Sequence, residues 1–288
     1  MIMTKSSSDT LFFVLTNKYF AMNITIGKPW AVCEKGGRQN NEDSIYPLPE
    51  TVNSNQKLFL VCDGVGGSAK GEIASSLACE SFQTFFSTFL EGEPSKEFVD
   101  RAVKYTEARF DSYVELHPEA KGMATTLTMV AVGKSGVTLA HVGDSRIYQF
   151  RKGKIIYETE DHSLVNALVK LGEITKEEAL LHPRRNVIMR AIEGTEHSTE
   201  ADVALLRDVQ AGDYFFMCTD GVLERLWDED LSHIFSTSAN PEEIKDSIMA
   251  SCCGKTRDNF SFYILPVQSV SESTGVRQNI ISFFYSFV

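Results

Sequence analysis

Five separated segments of the chain place carboxylates at the edge of an apolar run. Asp63 follows LFLVC, Asp220 follows YFFMCT, Asp144 follows LAHVG, and Asp258 stands just before FSFYIL. Glu42 and Asp43 sit together in the polar stretch after the first apolar run. Taken singly, Asp63 and the glycines behind it read as a strand ending in an Asp-Gly turn, a common device. Taken together, strand ends that share one sheet edge would bring the acids to one place. Converging carboxylates repel, and a hard divalent cation is the usual remedy. Oxygen-only donors with few imidazoles point to Mg²⁺ or Mn²⁺ rather than zinc or copper. Two such ions about 3.5–4 Å apart could bridge a water and make it a hydroxide nucleophile near neutral pH. Gly64, directly after Asp63, lets the backbone come close to an ion, so its carbonyl could be a ligand. Arg38, four residues before Glu42, carries a guanidinium fork that matches two phosphate oxygens. Acids, two metals and an arginine point to hydrolysis of a phosphoester, and spacing alone goes no further than that class.

Periodicity supplies the elements that must carry these residues. Apolar and β-branched runs predict strands over 24–33, 58–62, 125–132, 136–142, 147–150, 155–157, 214–218 and 260–267. A broad apolar face predicts a helix over 71–90, and Ser95 caps a second that runs to about 117. Short helices are expected over 162–170 and 175–181, and a late helix over 241–252 opens on Pro241. Hairpins and two adjacent helices replace the strict βαβ alternation of a parallel sheet. One α+β domain with antiparallel sheets is the expectation, with 23–267 as the folded unit. Residues 1–22 read as an extension and 268–288 as a tail.

The chain has 288 residues, 43% of them hydrophobic and 23% charged, as in globular proteins. A net charge of −11 argues against nucleic acid, which needs a basic face. None of the six cysteines forms a C-x-x-C pair, so a zinc site is not expected and a reducing cytoplasm is. The apolar runs at 11–15 and 281–288 are too short to span a bilayer.

The ordered segments GGRQNNEDS, LFLVCDGVGG, MATTLTMV, LAHVGDSRIYQF, TEDHSLV, NVIMRAI, MCTDGV and RDNFSFYIL resemble those of the metal-dependent serine/threonine protein phosphatases, the type 2C or PPM family in its bacterial form. The resemblance spans roughly 32–265. It implies a four-layer α-β-β-α sandwich of two antiparallel sheets flanked by helix pairs, with a binuclear metal centre at one edge. By position, Asp63 resembles the acid that bridges both ions. Asp220 and Asp258 match ligands of one ion, and Glu42 with the Gly64 carbonyl match those of the other. Asp43 resembles the acid that holds metal-bound water. Asp144 resembles a ligand of a third, weaker ion, shared with Asp220. Arg38 matches the phosphate-binding arginine, and 164–186 resembles the variable flap beside the site. The implied reaction is hydrolysis of phosphoserine and phosphothreonine on proteins by one in-line attack, without a phosphoenzyme. No cysteine sits in a C-x5-R frame, which disfavours a cysteine phosphatase. Implied partners are phosphorylated proteins, a serine/threonine kinase among them, met by a cytoplasmic monomer.

Val65 departs from those members that carry a histidine two residues after the bridging acid, so the group that protonates the leaving oxygen is left open. His162 is expected to make a polar loop contact and His141 to be a core histidine. Ser145 and Arg146 are expected to brace the turn after Asp144, and Arg184 with Arg185 to be a solvated pair, with substrate contact as the minority reading. A phosphoprotein-binding pseudophosphatase is the competing class; loss of a ligand would signal it, and none is lost.

Overall fold

The computed structural model describes residues 21–65 and 70–273. The expected α+β sandwich is present. One sheet contains β1 (Ala21–Ile26), β2 (Trp30–Glu34), β7 (Arg146–Arg151), β8 (Lys154–Glu158), β10 (Asp213–Cys218) and β11 (Phe260–Ser273). The other runs β3 (Asp43–Tyr46), β4 (Leu58–Asp63), β5 (Leu127–Val132), β6 (Val137–Val142) and β9 (Asp202–Leu206), in the order β3-β4-β5-β6-β9. The strand pairings are antiparallel.

The continuous apolar strands are explained by burial on both faces. In β4, Leu58, Leu60 and Cys62 point toward α1 (Gly71–Phe89) and α2 (Lys96–Leu116), joining Phe82, Phe86 and Val103. The alternate residues, Phe59 and Val61, point the other way and meet Phe215, Met217, Tyr263 and Leu265 of the facing sheet. The outer face of that facing sheet packs Phe216, Phe262 and Ile264 against α6 (Asp228–Thr237) and α7 (Pro241–Cys252). Phe59 is fully buried, and truncating such a ring costs about 3–5 kcal/mol. A core built of many such side chains can carry an edge that is electrostatically unfavourable.

Two sequence expectations are corrected. The single strand over 24–33 is two, because Gly27, Lys28 and Pro29 interrupt it; both halves lie along β11, β1 beside Val267–Ser273 and β2 beside Phe260–Ile264. The last strand accordingly continues past 267 to Ser273, because β1 is there to pair with it. The apolar runs at 11–15 and 281–288 lie outside the described residues. Among the described residues, no helix is long and apolar enough to cross a membrane.

Candidate metal centre

Strand register does much of the assembly. β3 pairs with β4 so that Asp43 lies directly opposite Asp63. Like charges directly opposite each other destabilise an antiparallel pair. The Asp63 backbone is fixed from the far side by Thr126: its N–H donates to Thr126 Oγ1 at 3.0 Å, and its carbonyl accepts the Thr126 N–H at 2.8 Å. Thr126 Oγ1 also lies 2.8 Å from Ser145 Oγ, which ties the end of β4 to the turn that carries Asp144.

The facing sheet delivers the rest. Asp220 opens α5 (Asp220–Leu223) one residue after β10, beside the Asp63 carboxyl. Asp43 Oδ2 accepts the Thr219 hydroxyl at 3.0 Å, joining the two sheets beside Asp220. Asp258 and Asn259 lie just before β11. Asn259 Oδ1 accepts the Glu42 N–H at 2.9 Å, and its Nδ2 donates to the Lys35 and Asn40 carbonyls. Asn259 therefore clamps the loop that carries Arg38 and Glu42. It was legible only as a member of the RDN segment, with no role attached.

The electrostatics are those of acids held together without a counterion. Burial pushes the Asp43 carboxyl up to about 8, helped by the charges of Asp220 and Asp258. Burial pushes Asp220 up to about 6, with Asp258 adding to it. Asp63 and Asp144 lie well above the usual carboxylate range, first through burial and then through facing acids; for Asp63 these are Asp43, Asp220, Asp144 and Asp258. Glu42 is raised by burial as well. One buried oxygen on each of Asp43, Asp144 and Asp220 has no hydrogen-bond partner. Unpartnered carboxylate oxygens gathered near one place are donors a hard divalent cation can take, although among the described residues no three of these acids stand at single-ion ligand spacing.

Arg38 is half-exposed and donates to Asp258 Oδ2 at 2.6 Å, a surface ion pair. It borders a groove of about 540 Å³ shared with Asp258, Glu224, Arg257 and the 183–187 turn.

Gly64 is required by space. Its N–H donates to the Glu42 carbonyl at 2.9 Å, and an added Cβ would lie 2.2 Å from the Gly71 carbonyl oxygen and 2.8 Å from that of Glu42. Both neighbours are backbone, so Gly64→Ala must push Glu42 and α1 apart. The expected result is a loss of about 1–3 kcal/mol in stability and weakened Mn²⁺ binding, read by thermal melts and calorimetric titration. Unchanged Mn²⁺ affinity would show that the close approach has no part in the site.

His162 makes the expected loop contact. Its Nδ1 accepts the Gly143 N–H at 3.1 Å and its own N–H donates to the Gly143 carbonyl at 2.9 Å, so it fastens the turn before Asp144. Burial and the neighbouring His141 ring push His162 down to about 4, which keeps Nδ1 free to accept. His141 is buried, with Nε2 2.9 Å from the Glu160 carbonyl. His141, His162 and Asp202 stand at metal-ligand spacing. The Arg190 guanidinium already neutralises that group, at 3.0 Å from both His162 Nε2 and Asp202 Oδ1. Arg146 braces the same region through a bidentate pair with Asp161 at 2.7 Å.

The raised carboxyls carry a signed consequence for the metal-free protein. Asp43 ionises at about 3.9 unfolded and about 8 folded, so its stabilising proton is fully present below pH 4 and lost as pH rises through 8. The lowered histidines act oppositely, and because their unfolded pKa is about 6.5 their contribution runs on to about pH 7.5. Between about pH 7.5 and 9, where the histidines no longer offset it, Asp43 should cost the metal-free fold up to about 1 kcal/mol per pH unit. Melting temperatures in chelator should therefore fall across that window, and Mn²⁺ should restore them. A flat profile in chelator would contradict the charge repulsion.

A two-sheet sandwich with carboxylates gathered at one edge and an arginine at their rim is an arrangement in which divalent cations could be held beside a phosphate-binding group. The sequence profile of the family described as Protein phosphatase 2C matches residues 33–250, and the chain belongs to that family. It is 33% identical to the serine/threonine protein phosphatase PstP of Mycobacterium tuberculosis over 248 residues, which is 85% of this chain and 45% of that protein. The chain thus spans about half the length of that relative. It is 31% identical over 212 residues to the serine/threonine phosphatase Stp of Listeria welshimeri, covering 73% of this chain and 82% of that one. The crystal structure of the PstP catalytic domain in complex with two manganese ions superposes with a TM-score of 0.71 at 30% identity, over 86% of this chain and 100% of that domain.

Proposed function

We propose that the chain is a Mn²⁺- or Mg²⁺-dependent phosphatase that hydrolyses phosphoserine and phosphothreonine on proteins, with residues 23–267 as the catalytic unit. The observation that supports this is the set of buried, unpartnered oxygens on Asp43, Asp144 and Asp220 near Asp63, which suits divalent cations. Asp63 would bridge two ions, with Asp220 and Asp258 on one and Glu42 with the Gly64 carbonyl on the other; Asp144 with Asp220 would hold a third, weaker one. Bound there, the ions supply a water of lowered pKa as nucleophile and neutralise charge on the phosphoryl oxygens.

The chain's own groups do the remaining work. Arg38 takes two phosphoryl oxygens in its fork and orients the phosphorus for in-line attack. Asp258 is then engaged in the cluster, which releases Arg38 from its present ion pair. Asp43 would hold a proton of the attacking water on Oδ1, which is buried and unpartnered, while Thr219 fixes the other oxygen. Val65 offers no proton, so the leaving oxygen takes one from water or from another group of the site. The natural partners are phosphorylated proteins, a serine/threonine kinase among them, met by a monomer. Six unpaired cysteines support a reducing, cytoplasmic setting.

The test is phosphate release from matched phosphothreonine, phosphoserine and phosphotyrosine peptides with Mn²⁺. Turnover of the first two and not the third is expected. A protein that binds the peptides without turnover would be the pseudophosphatase.

A further inference from the structure

The groove beside Arg38 has an unbalanced charge. It is lined by Arg38, Arg184, Arg185 and Arg257, with Asp258 and Glu224 as its acids. Both acids are taken, Asp258 by Arg38 at 2.6 Å and Glu224 by Arg257 at 3.6 Å. The Arg184 and Arg185 guanidiniums have no partner among the described residues, in a chain whose net charge is −11. Acidic side chains outnumber basic ones, so two neighbouring unpaired guanidiniums at the rim of a phosphate site call for an occupant.

The two arginines stand on a defined turn. The Arg185 N–H donates to the His182 carbonyl and the Val187 N–H to the Arg184 carbonyl. The turn is moored to the domain where the Leu164 N–H donates to the Val187 carbonyl at 2.9 Å and the Met189 N–H to the His162 carbonyl at 2.7 Å. Arg184 and Arg185 therefore stand on a hydrogen-bonded turn and line the same groove as Arg38. Pro183 and Val187 give the same groove an apolar wall.

We propose that this groove binds the acidic flank of the substrate, so that the protein acts preferentially on phosphosites with a carboxylate side chain a few residues from the phosphorylated one. This rests on reading the adjoining acid cluster as a phosphatase site. A phosphoryl group held by Arg38 leaves Arg184 and Arg185 to pair with the next anionic group along the peptide. A fork on each makes carboxylate the fitting partner. Both arginines are exposed, so the pairing is screened by salt and acts on selection more than on raw affinity.

Phosphothreonine peptides of one length, with flanks of Glu, Ala or Lys or with a second phosphothreonine, test this by kcat/KM in ~50 mM and ~500 mM salt. The Glu-flanked peptide should exceed the Lys-flanked one about ten-fold at low salt, mostly through KM, and the gap should narrow at high salt. In Arg184→Ala/Arg185→Ala the ratio should fall toward one, and Arg184→Lys/Arg185→Lys should restore part of it. Because the readout is a ratio within one variant, any general loss of activity cancels. A doubly phosphorylated peptide that outruns the Glu-flanked one, with the Glu and Lys flanks equal, would make the ligand a second phosphate and overturn the carboxylate assignment. Equal rates on all peptides, or a preference that survives the double alanine variant, would also overturn it. Should no peptide be turned over, the phosphatase reading fails separately; fluorescence anisotropy of the same peptides on the wild-type protein in chelator then decides the groove, with tighter Glu-flanked binding supporting it and equal binding refuting it.

Discussion

Asp63→Asn should abolish phosphate release while making the metal-free protein more stable. Asp63 is the acid most surrounded by others, facing Asp43 across the β3–β4 pair and lying beside Asp220. Its carboxyl is held well above the usual range by burial and by the charges of Asp43, Asp220, Asp144 and Asp258. An amide of the same shape removes the charge and keeps the backbone bonds to Thr126. Relief of repulsion should raise the melting temperature in chelator, at about 2–4 °C per kcal/mol for a protein of this size. Turnover should fall by at least ~10³-fold, because a neutral amide cannot balance two cations. Opposite movement of activity and stability is the mark of a strained functional site. Retained turnover, or a lowered melting temperature in chelator, would mean that Asp63 is a structural acid.

Arg38→Lys should lower kcat/KM nearly as far as Arg38→Ala, by roughly 10²–10³-fold. Both variants should change stability by less than about 1 kcal/mol, because the present partner of Arg38 is one half-exposed ion pair with Asp258. Lysine keeps the charge but not the fork, so the lysine variant separates bidentate phosphate binding from simple electrostatics. A lysine variant as active as the wild type would leave Arg38 as a surface charge. A large stability loss would make the Asp258 pair its main role.

The strand ends that carry the acids were readable because strands buried on both faces run apolar to their last residue. LFLVC stops at Asp63 and YFFMCT at Asp220 for that reason, and the two sheet faces each claim alternate side chains. Elements with one solvated face were harder to see. β3 has four residues and begins with an acid, and β9 (DVALL) is an edge strand with no fully buried residue. α6 opens with three acids and buries only Leu231 and Phe235. The break at Gly27–Pro29 carried a local signal in its Gly and Pro that the apolar run masked; that both halves pair with β11 was not legible, because β11 lies more than 200 residues away.

At the site, residue types were legible and their partners were not. Nothing local sets Asp43 opposite Asp63, or directs Asn259 to hold the Glu42 loop; both depend on pairing between distant strands. His162 was read correctly as a loop contact, but its target, the turn before Asp144, follows from packing of the 162–164 segment on that turn. Arg184 and Arg185 looked like a solvated pair because sequence shows neither the groove they line nor that its acids are already paired.

The central claim is that the converged carboxylates exist to hold divalent cations for hydrolysis. Its most direct test is a Mn²⁺ titration of chelator-stripped protein, followed by calorimetry and by phosphate release from a phosphothreonine peptide in the same samples. Two tightly bound equivalents are predicted, with turnover absent before the second and abolished again by chelator. Turnover by the stripped protein, or Mn²⁺ binding without any hydrolysis, would contradict it.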